Sequence, residues 1–358
     1  METTMLKPSP LLAGVTAYSP PTPPYPIDLK LDGNEGQAPP ADLLEEVLEA
    51  GPEIVRSYPS TAPLESEIAG SIGIDPSRVI VTAGGDDAIE RAVRAMLAPG
   101  REMILPVPTF EMFERYAALT GCRVKTVPWP EGAYPANAVL AAVTDATALV
   151  VAVTPNSPSG LTATRDELAR ISRGAPSSLL LVDLAYVEFA DEDLTSFVLT
   201  LPNALVVRSL SKAWGLAGLR VGWAAGPAEV ICWLRAAGHP YAVSGPSLRL
   251  ASVRLRTGRD DVARFAGRIR EERRMISERL AALGARVLPS QANFVLARFE
   301  DAEAVRTGLA KRGIAVRIFP GRPDLEGRLR ITLPGDGESF ERLVRALSEI
   351  IADREVTS

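Results

Sequence analysis

Between residues 78 and 224, short apolar runs alternate with amphipathic stretches, and this alternation limits what the chain can fold into. Arg78-Val79-Ile80-Val81-Thr82, Glu102 to Leu105, Arg123 to Val127, Ala148 to Val153, Leu179 to Val182 and Ala204 to Arg208 read as strands. Several are apolar at every position rather than every second one, the pattern of strands buried on both faces. Between them, Ala88 to Leu97, Thr109 to Leu119 and Arg165 to Arg173 carry helical spacing. The combination predicts an α/β fold with a mostly parallel, mixed sheet covered by helices on both faces. A last strand, Leu219 to Ala224, follows a glycine-rich loop.

The flanks differ. Residues 1–28 are rich in proline, which lacks a backbone donor and fixes its own φ, so they read as an extended arm. Tyr18, Tyr25 and Ile27 punctuate it, leaving a docked arm and a free tail both open. Leu29 to Leu31 reads as a strand running into a turn, and Asp42 to Ala50 as a helix that Arg56-Ser57-Tyr58-Pro59 breaks. After Gly245-Pro246 comes a long charged amphipathic helix, Arg259 to Leu283. Strands Asn293 to Phe299, Ile314 to Phe319 and Arg328 to Leu333 come next, with helices Ala302 to Arg312 and Ser339 to Asp353. This predicts a smaller C-terminal α+β unit. The expected division is an arm at 1–28, a large domain at 29–250 and a small domain at 251–358.

Composition removes several function classes. A net charge of −5 argues against a general nucleic-acid or anionic-membrane partner. His239 is the one histidine, which disfavours a Ser-His-Asp engine and a histidine metal site, and it reads as structural. Cys122 and Cys232 are too few for a disulfide scaffold and lack metal-ligand spacing. No metal is expected. Neither a signal-peptide pattern nor a membrane-length apolar run is present, so a cytoplasmic location is expected.

Ligands of open α/β sheets bind at the carboxyl ends of the strands. There the chain places Ala83-Gly84-Gly85-Asp86-Asp87, a glycine turn before a helix and hence an anion site or plain punctuation. It also places Asn156-Ser157 there, and Asp183, which alone would pass for a turn residue. After the strand 204–208 comes Ser209-Leu210-Ser211-Lys212-Ala213-Trp214-Gly215-Leu216-Ala217-Gly218-Leu219-Arg220. A lysine among small and apolar neighbours is either a solvated loop residue or an amine suited to Schiff-base chemistry.

That last stretch resembles the cofactor-lysine motif of the fold-type I pyridoxal-phosphate (PLP) enzymes, in particular the histidinol-phosphate aminotransferase family. The resemblance runs from about Tyr18 to Leu333. It implies a PLP-transferase fold with Lys212 carrying the Schiff base and shuttling protons. Asp183 would pair with the pyridine nitrogen, since Asp183-Leu184-Ala185-Tyr186 is similar to Asp-Glu-Ala-Tyr in the family. Tyr186 would contact the phenolic oxygen. Phe110 would stack on the ring, where relatives have Tyr. Gly84, Gly85, Asp86, Ser209, Ser211 and Arg220 would serve the phosphate. Tyr58 would reach a neighbouring subunit's cofactor, implying a homodimer with shared sites. Arg330 would meet the substrate's anionic end. Arg317 and Arg322 would assist, or are plain exposed cations, and Tyr18 and Asn34 would line the entrance.

The chain also departs from the family pattern. Asn-Pro-Asn-Asn-Pro-Thr-Gly is here Thr154-Pro155-Asn156-Ser157-Pro158-Ser159-Gly160, so either Ser157 or Asn156 serves the phenolic oxygen. Asn-Glu-Asn-Pro is Asn34-Glu35-Gly36-Gln37, and Trp214 stands where Phe is usual. The implied activity is a PLP-dependent aminotransferase in amino-acid biosynthesis, with small-molecule substrates. L-histidinol phosphate and an oxo acid such as 2-oxoglutarate are the first expectation. The alternatives are a free aromatic or other amino acid, decarboxylation of a phosphorylated amino acid, or a non-catalytic binding protein on the same fold.

Overall fold

The computed structural model describes residues 7–13, 15, 17 and 24–355, the last three by backbone alone. Tyr18 lies outside the described residues. The strands are β1 (Leu29–Leu31), β2 (Val79–Thr82), β3 (Glu102–Val107), β4 (Arg123–Pro128), β5 (Thr147–Val153), β6 (Leu179–Asp183), β7 (Ala204–Ser209), β8 (Gly222–Ala225), β9 (Arg286–Val287), β10 (Phe294–Arg298), β11 (Ile314–Val316) and β12 (Arg328–Thr332). The largest sheet has the order β2-β8-β7-β6-β5-β3-β4. β3 to β7 run parallel, while β8 is antiparallel to both β2 and β7. The mixed, mostly parallel sheet expected from the alternation is therefore present.

Its middle strands are apolar throughout because both faces are covered. Successive side chains point to opposite faces of a strand. Leu180, Val182 and Val206 thus pack into one core, and Leu179, Leu181, Leu205 and Val207 into another. Fully burying such a side chain contributes about 1.5–3 kcal/mol. The register aligns the strand ends: Val153 lies opposite Asp183, and Asp183 opposite Val207. The carboxyl ends of β5, β6 and β7 therefore finish nearly level, and the loops beyond them open on one side.

The helix after β2 spans Gly84–Met96, so the glycine pair is its first turn rather than a turn ahead of it. Gly84 enters the turn at φ 83, a left-handed conformation that favours glycine. The Asp87 carboxylate holds the start by accepting from Ala83 N at 2.9 Å. Gly222 lies against this turn, and a Cβ on it would fall 2.6 Å from Gly85 N. The helix after β3 begins at Met112, not Thr109, and the Thr109 hydroxyl donates to Asn156 Oδ1 at 2.7 Å. Helices Ala62–Ile72, Ala136–Ala142, Ala228–Ala237 and Gly245–Thr257 were not evident in the sequence. The first hides its stripe because Glu65 is buried with Leu64 and Ile68, accepting from Val81 N and Arg235.

The C-terminal part has its own core, built from the helices Arg259–Ala282, Ala302–Lys311 and Gly337–Glu355 against a sheet of order β12-β10-β9. β1 pairs in parallel with β11, so residues 29–31 join this part although they precede the large sheet. In the arm, Leu11 lies on the body: a Cβ at Gly121 would be 3.3 Å from its Cδ2. Among the described residues, no helix is long and apolar enough to cross a membrane.

Candidate active site

A cavity of about 410 Å³ opens between the strand ends of the large sheet and the C-terminal sheet. One wall comes from the turns after β2, β3, β5, β6 and β7: Gly85, Asp86, Phe110, Ser157, Asp183, Tyr186, Ser209, Ser211 and Lys212, with Arg220. The facing wall comes from the turn after β1 and from β11 and β12: Asp32, Gly33, Asn34, Arg317, Arg322 and Arg330. Residues nearly 300 positions apart thus share one space.

The Lys212 loop is closed on itself by backbone bonds. Leu210 N donates to Val221 O, Leu216 N to Leu210 O, and Gly215 N to Lys212 O, at 3.0, 3.0 and 3.1 Å. Lys212 Nζ donates to Gly33 O at 3.1 Å and lies 5.6 Å from the Tyr186 ring centroid. A Cβ on Gly36 would run into the Lys212 carbonyl oxygen, so the turn after β1 rests directly on this loop.

Asp183 ends β6 and is 5% exposed. Burial pushes its carboxyl up to about 7; a hydrogen bond from Ala185 N opposes that rise, the Asp86 charge adds to it and the Lys212 charge opposes it. A buried carboxylate so perturbed, facing a cavity, is suited to a cationic N–H partner. Beside it the Tyr186 hydroxyl accepts from Asn34 Nδ2 at 2.9 Å. Asn34 is itself held by Thr332 Oγ1, which donates to its Oδ1, and by Asn293 Nδ2, which donates to its backbone oxygen. That grip keeps Asn34 at φ 58, a left-handed conformation that asparagine tolerates better than most residues.

An anion cradle lies at the other end of the same wall. The N–H groups of the first turn of Gly84–Met96 point out of the helix there. Arg220 donates from Nη1 to Ser211 Oγ at 3.3 Å and from Nη2 to Asp86 Oδ2 at 3.1 Å. Ser209 Oγ accepts from Ser211 N at 3.1 Å. Gly84 abuts the cradle's arginine, since a Cβ there would meet Arg220 Nη2 at 2.7 Å, but it does not itself line the cavity. Phe110 lines the cavity, braced edge-on by buried Phe113 with centroids 6.4 Å apart.

The two residues left as alternatives occupy different places. Asn156 is fully buried and does not line the cavity. Its Oδ1 accepts from Thr109 Oγ1, and its Nδ2 donates to Pro108 O and Ser159 Oγ, so it ties the β3 and β5 turns together. Ser157 faces the cavity, and its Oγ accepts from Arg330 Nη1 at 3.1 Å. Arg330 Nη2 also donates to Asp32 O at 2.6 Å, and its guanidinium lies 5.3 Å from the Phe294 ring centroid. Arg317 pairs with Glu111 at 3.4 Å, and Arg322 donates through Nε and Nη2 to Asp324 at 3.0 and 2.8 Å.

Tyr58 is not at this cavity. It is 83% exposed and stacks on Tyr241 with centroids 4.6 Å apart. His239 is exposed, and its carbonyl accepts from Arg91. Glu111, Thr109, the Asp32 and Gly33 carbonyls, Thr332 and Asn293 also belong to the site or its supports, and sequence reasoning missed them. Glu111 directly succeeds Phe110, which was a usable signal. The others act through pairings between distant segments and carry no local mark.

The aminotransferase class I and II family matches residues 30–347. The histidinol-phosphate aminotransferase of Erythrobacter litoralis is 35% identical over 339 residues, 90% of each chain. That of Caldanaerobacter subterraneus subsp. tengcongensis is 33% identical over 338 residues, 91% of this chain and 94% of its own. The structure of histidinol-phosphate aminotransferase from Sinorhizobium meliloti in complex with pyridoxal-5'-phosphate superposes with a TM-score of 0.87. It covers 98% of this chain and 99% of its own at 23% identity, a likeness of fold.

Proposed function

This chain belongs to the class I and II aminotransferases, and we propose that it is a pyridoxal-phosphate-dependent transaminase using L-histidinol phosphate as amino donor and an oxo acid such as 2-oxoglutarate as acceptor. One observation carries the reading. Lys212 and buried Asp183, from adjacent strand ends, open on the same cavity as Arg317, Arg322 and Arg330.

The residues present fit the cofactor. The Asp183 carboxylate, pushed up by burial, would be held ionised by a protonated ring nitrogen. The helix start at Gly85 and Asp86, the hydroxyls of Ser209 and Ser211, and Arg220 would hold the phosphate. Phe110 would cover one face of the ring, and Tyr186 and Ser157 would serve its oxygen. When bound, the cofactor supplies an electron-accepting ring conjugated to the substrate carbon. Lys212 contributes the amine that bonds the cofactor. Lys212 Nζ would also take and return the proton at the substrate carbon. Asn34 holds the Tyr186 hydroxyl in place for that traffic.

At the far wall Arg330 would take the substrate's anionic end, because a guanidinium fork matches phosphate or carboxylate oxygens. Arg317 and Arg322 add positive charge, each offset by a carboxylate, Glu111 or Asp324. That offset favours a second reading, in which Arg330 alone engages one carboxylate and the donor is a free amino acid.

We also assign a homodimer. Leu44, Leu48, Val55 and Tyr58 are 63–83% exposed within one short stretch, more apolar surface than a solvated face needs. A second copy would cover it, with Tyr58 reaching the partner's cavity. A cytoplasmic setting belongs to this reading.

The test is a half-reaction with PLP-loaded protein, monitored by its visible absorbance band. L-histidinol phosphate should convert the band stoichiometrically, with the matching oxo product formed. Conversion only by a free amino acid would select the second reading. Release of carbon dioxide from a phosphorylated amino acid would mean a decarboxylase. A cofactor-coloured protein inert toward all of these substrates would leave only a binding role.

A further inference from the structure

Trp214 lies two residues past Lys212, half-buried, and its ring packs against both the core of the large sheet and that of the C-terminal part. Its Nε1–H donates to Glu188 Oε1 at 2.8 Å. The same oxygen accepts from Arg208 Nη2 at 2.7 Å. Glu188 Oε2 is buried and has no hydrogen-bond partner among the described residues, so the carboxylate's hydrogen bonding passes through Oε1. Arg208 is 9% exposed and fixed in turn by Thr195 Oγ1 at 2.5 Å and by the Trp223 ring, 5.4 Å from its guanidinium.

The three residues sit at telling places in the chain. Arg208 is in β7, one residue before Ser209. Glu188 is in the turn Val187–Phe189, two residues past Tyr186. Trp214 is in the loop that carries Lys212. Three segments that each present a group to the cavity therefore meet at one carboxylate oxygen, on the side of the loop away from the cavity. Among the described residues, the lysine amine hydrogen-bonds to Gly33 O, and the rest of the support for Lys212 comes from the backbone of its loop.

We infer that Trp214 is a positioning residue for Lys212: the indole–Glu188 bond locks the loop that carries the lysine to the turn that carries Tyr186. The inference rests on reading Lys212 as the residue that bonds the cofactor. An indole suits the task because it is rigid and offers a single donor. Loosening it should displace the amine slightly rather than remove it, and a displacement near 1 Å can cost on the order of 100-fold in rate.

Trp214→Phe keeps an aromatic ring and removes the donor together with some packing volume, so Glu188→Gln, which leaves the indole whole, is read beside it. With PLP-loaded protein, the expected results are a kcat about tenfold lower, a KM within about twofold of wild type, and a pH midpoint of the visible band moved by about 0.3 unit or more. Amide exchange across residues 210–216 should be roughly tenfold faster, in both loaded and unloaded protein. Unchanged exchange, or an unchanged midpoint with wild-type kcat, overturns the inference. Glu188→Gln keeps shape and an acceptor, and should move both readouts in the same direction by less. If Trp214→Phe does not fold, Glu188→Gln decides by the same criteria. The wild type provides the separate control: absence of a visible band and of a borohydride-trapped adduct at Lys212 would refute the cofactor reading itself.

Discussion

The two walls of the cavity are built differently. The wall that holds Lys212, Asp183 and the anion cradle consists of consecutive strand ends of one sheet, set level by their register. Its key groups are buried or braced by backbone bonds within a few residues. The facing wall is assembled from the turn after β1, from β11 and from β12, joined by an isolated bridge between Arg317 and Arg330. Its arginines are already matched to carboxylates, a hydroxyl and a carbonyl. The first arrangement suits a permanent resident that must be held in one pose. The second suits ligands that come and go, because each contact made to a substrate replaces one made within the protein.

The contrast between the walls breaks most sharply at Lys212. Lys212→Ala should lower turnover by at least roughly 10⁴-fold and abolish the borohydride-trapped adduct while leaving the fold intact. Trapping at another lysine in wild-type yield would show that the sheet wall does not hold the reactive amine.

Asp183 comes next. Asp183→Ala should lower turnover about 10³-fold and weaken cofactor retention, as loss of a buried electrostatic partner does. Wild-type turnover in that variant would sink its role. The same residue gives a pH prediction for the unloaded protein. Below the ordinary value of 3.8 the group is protonated both folded and unfolded, and between there and about 7 the unfolded chain loses its proton first. Stability should therefore fall as pH rises through that window and level off above it, by about 4 kcal/mol at 1.36 kcal/mol per unit. Burial also raises Glu272 to about 7, so the slope has two contributors. Urea melts of wild type against Asp183→Asn isolate the first, and parallel profiles would argue against it.

Smaller effects should come from the arginine wall. Arg330→Ala should raise KM for the phosphorylated donor about 100-fold with kcat less affected, since cutting one member of a hydrogen-bonded charged set costs 2–5 kcal/mol or so. Arg322→Ala should cost less than about tenfold, because Asp324 already screens that cation. Equal losses at the two positions would show that the wall acts as a diffuse positive field rather than through Arg330. The smallest effect should be at Tyr58. If a second copy covers it, Tyr58→Ala should shift the monomer–dimer balance and raise the KM for cofactor a fewfold; unchanged assembly and affinity would remove it from the site.

Much of the sheet wall was legible in the sequence. Fully apolar runs had to be buried strands, and polar residues at their ends had to fall on one side, so Asp183 and Lys212 could be placed from the pattern of residues alone. The start of Gly84–Met96 was less clear, because a glycine pair reads equally as a turn and as a first helical turn. Asn156 and Ser157 could not be separated by sequence. Adjacent positions in a turn point different ways, and only the packing shows Asn156 occupied by Thr109, Pro108 and Ser159.

By itself the sequence determined the alternation that makes the large sheet, the strand ends where chemistry collects, and a lysine loop with the family's pattern. These come from side-chain periodicity and local backbone preference, which act over a few residues. Only the tertiary structure decided which arginine faces Ser157, that the Asp32 and Gly33 carbonyls receive Arg330 and Lys212, that Asn34 is pinned by Thr332, and that Trp214 leans on Glu188. Those pairings join segments from 26 to 298 residues apart. Their geometry comes from how the two cores pack together, and no local pattern encodes that.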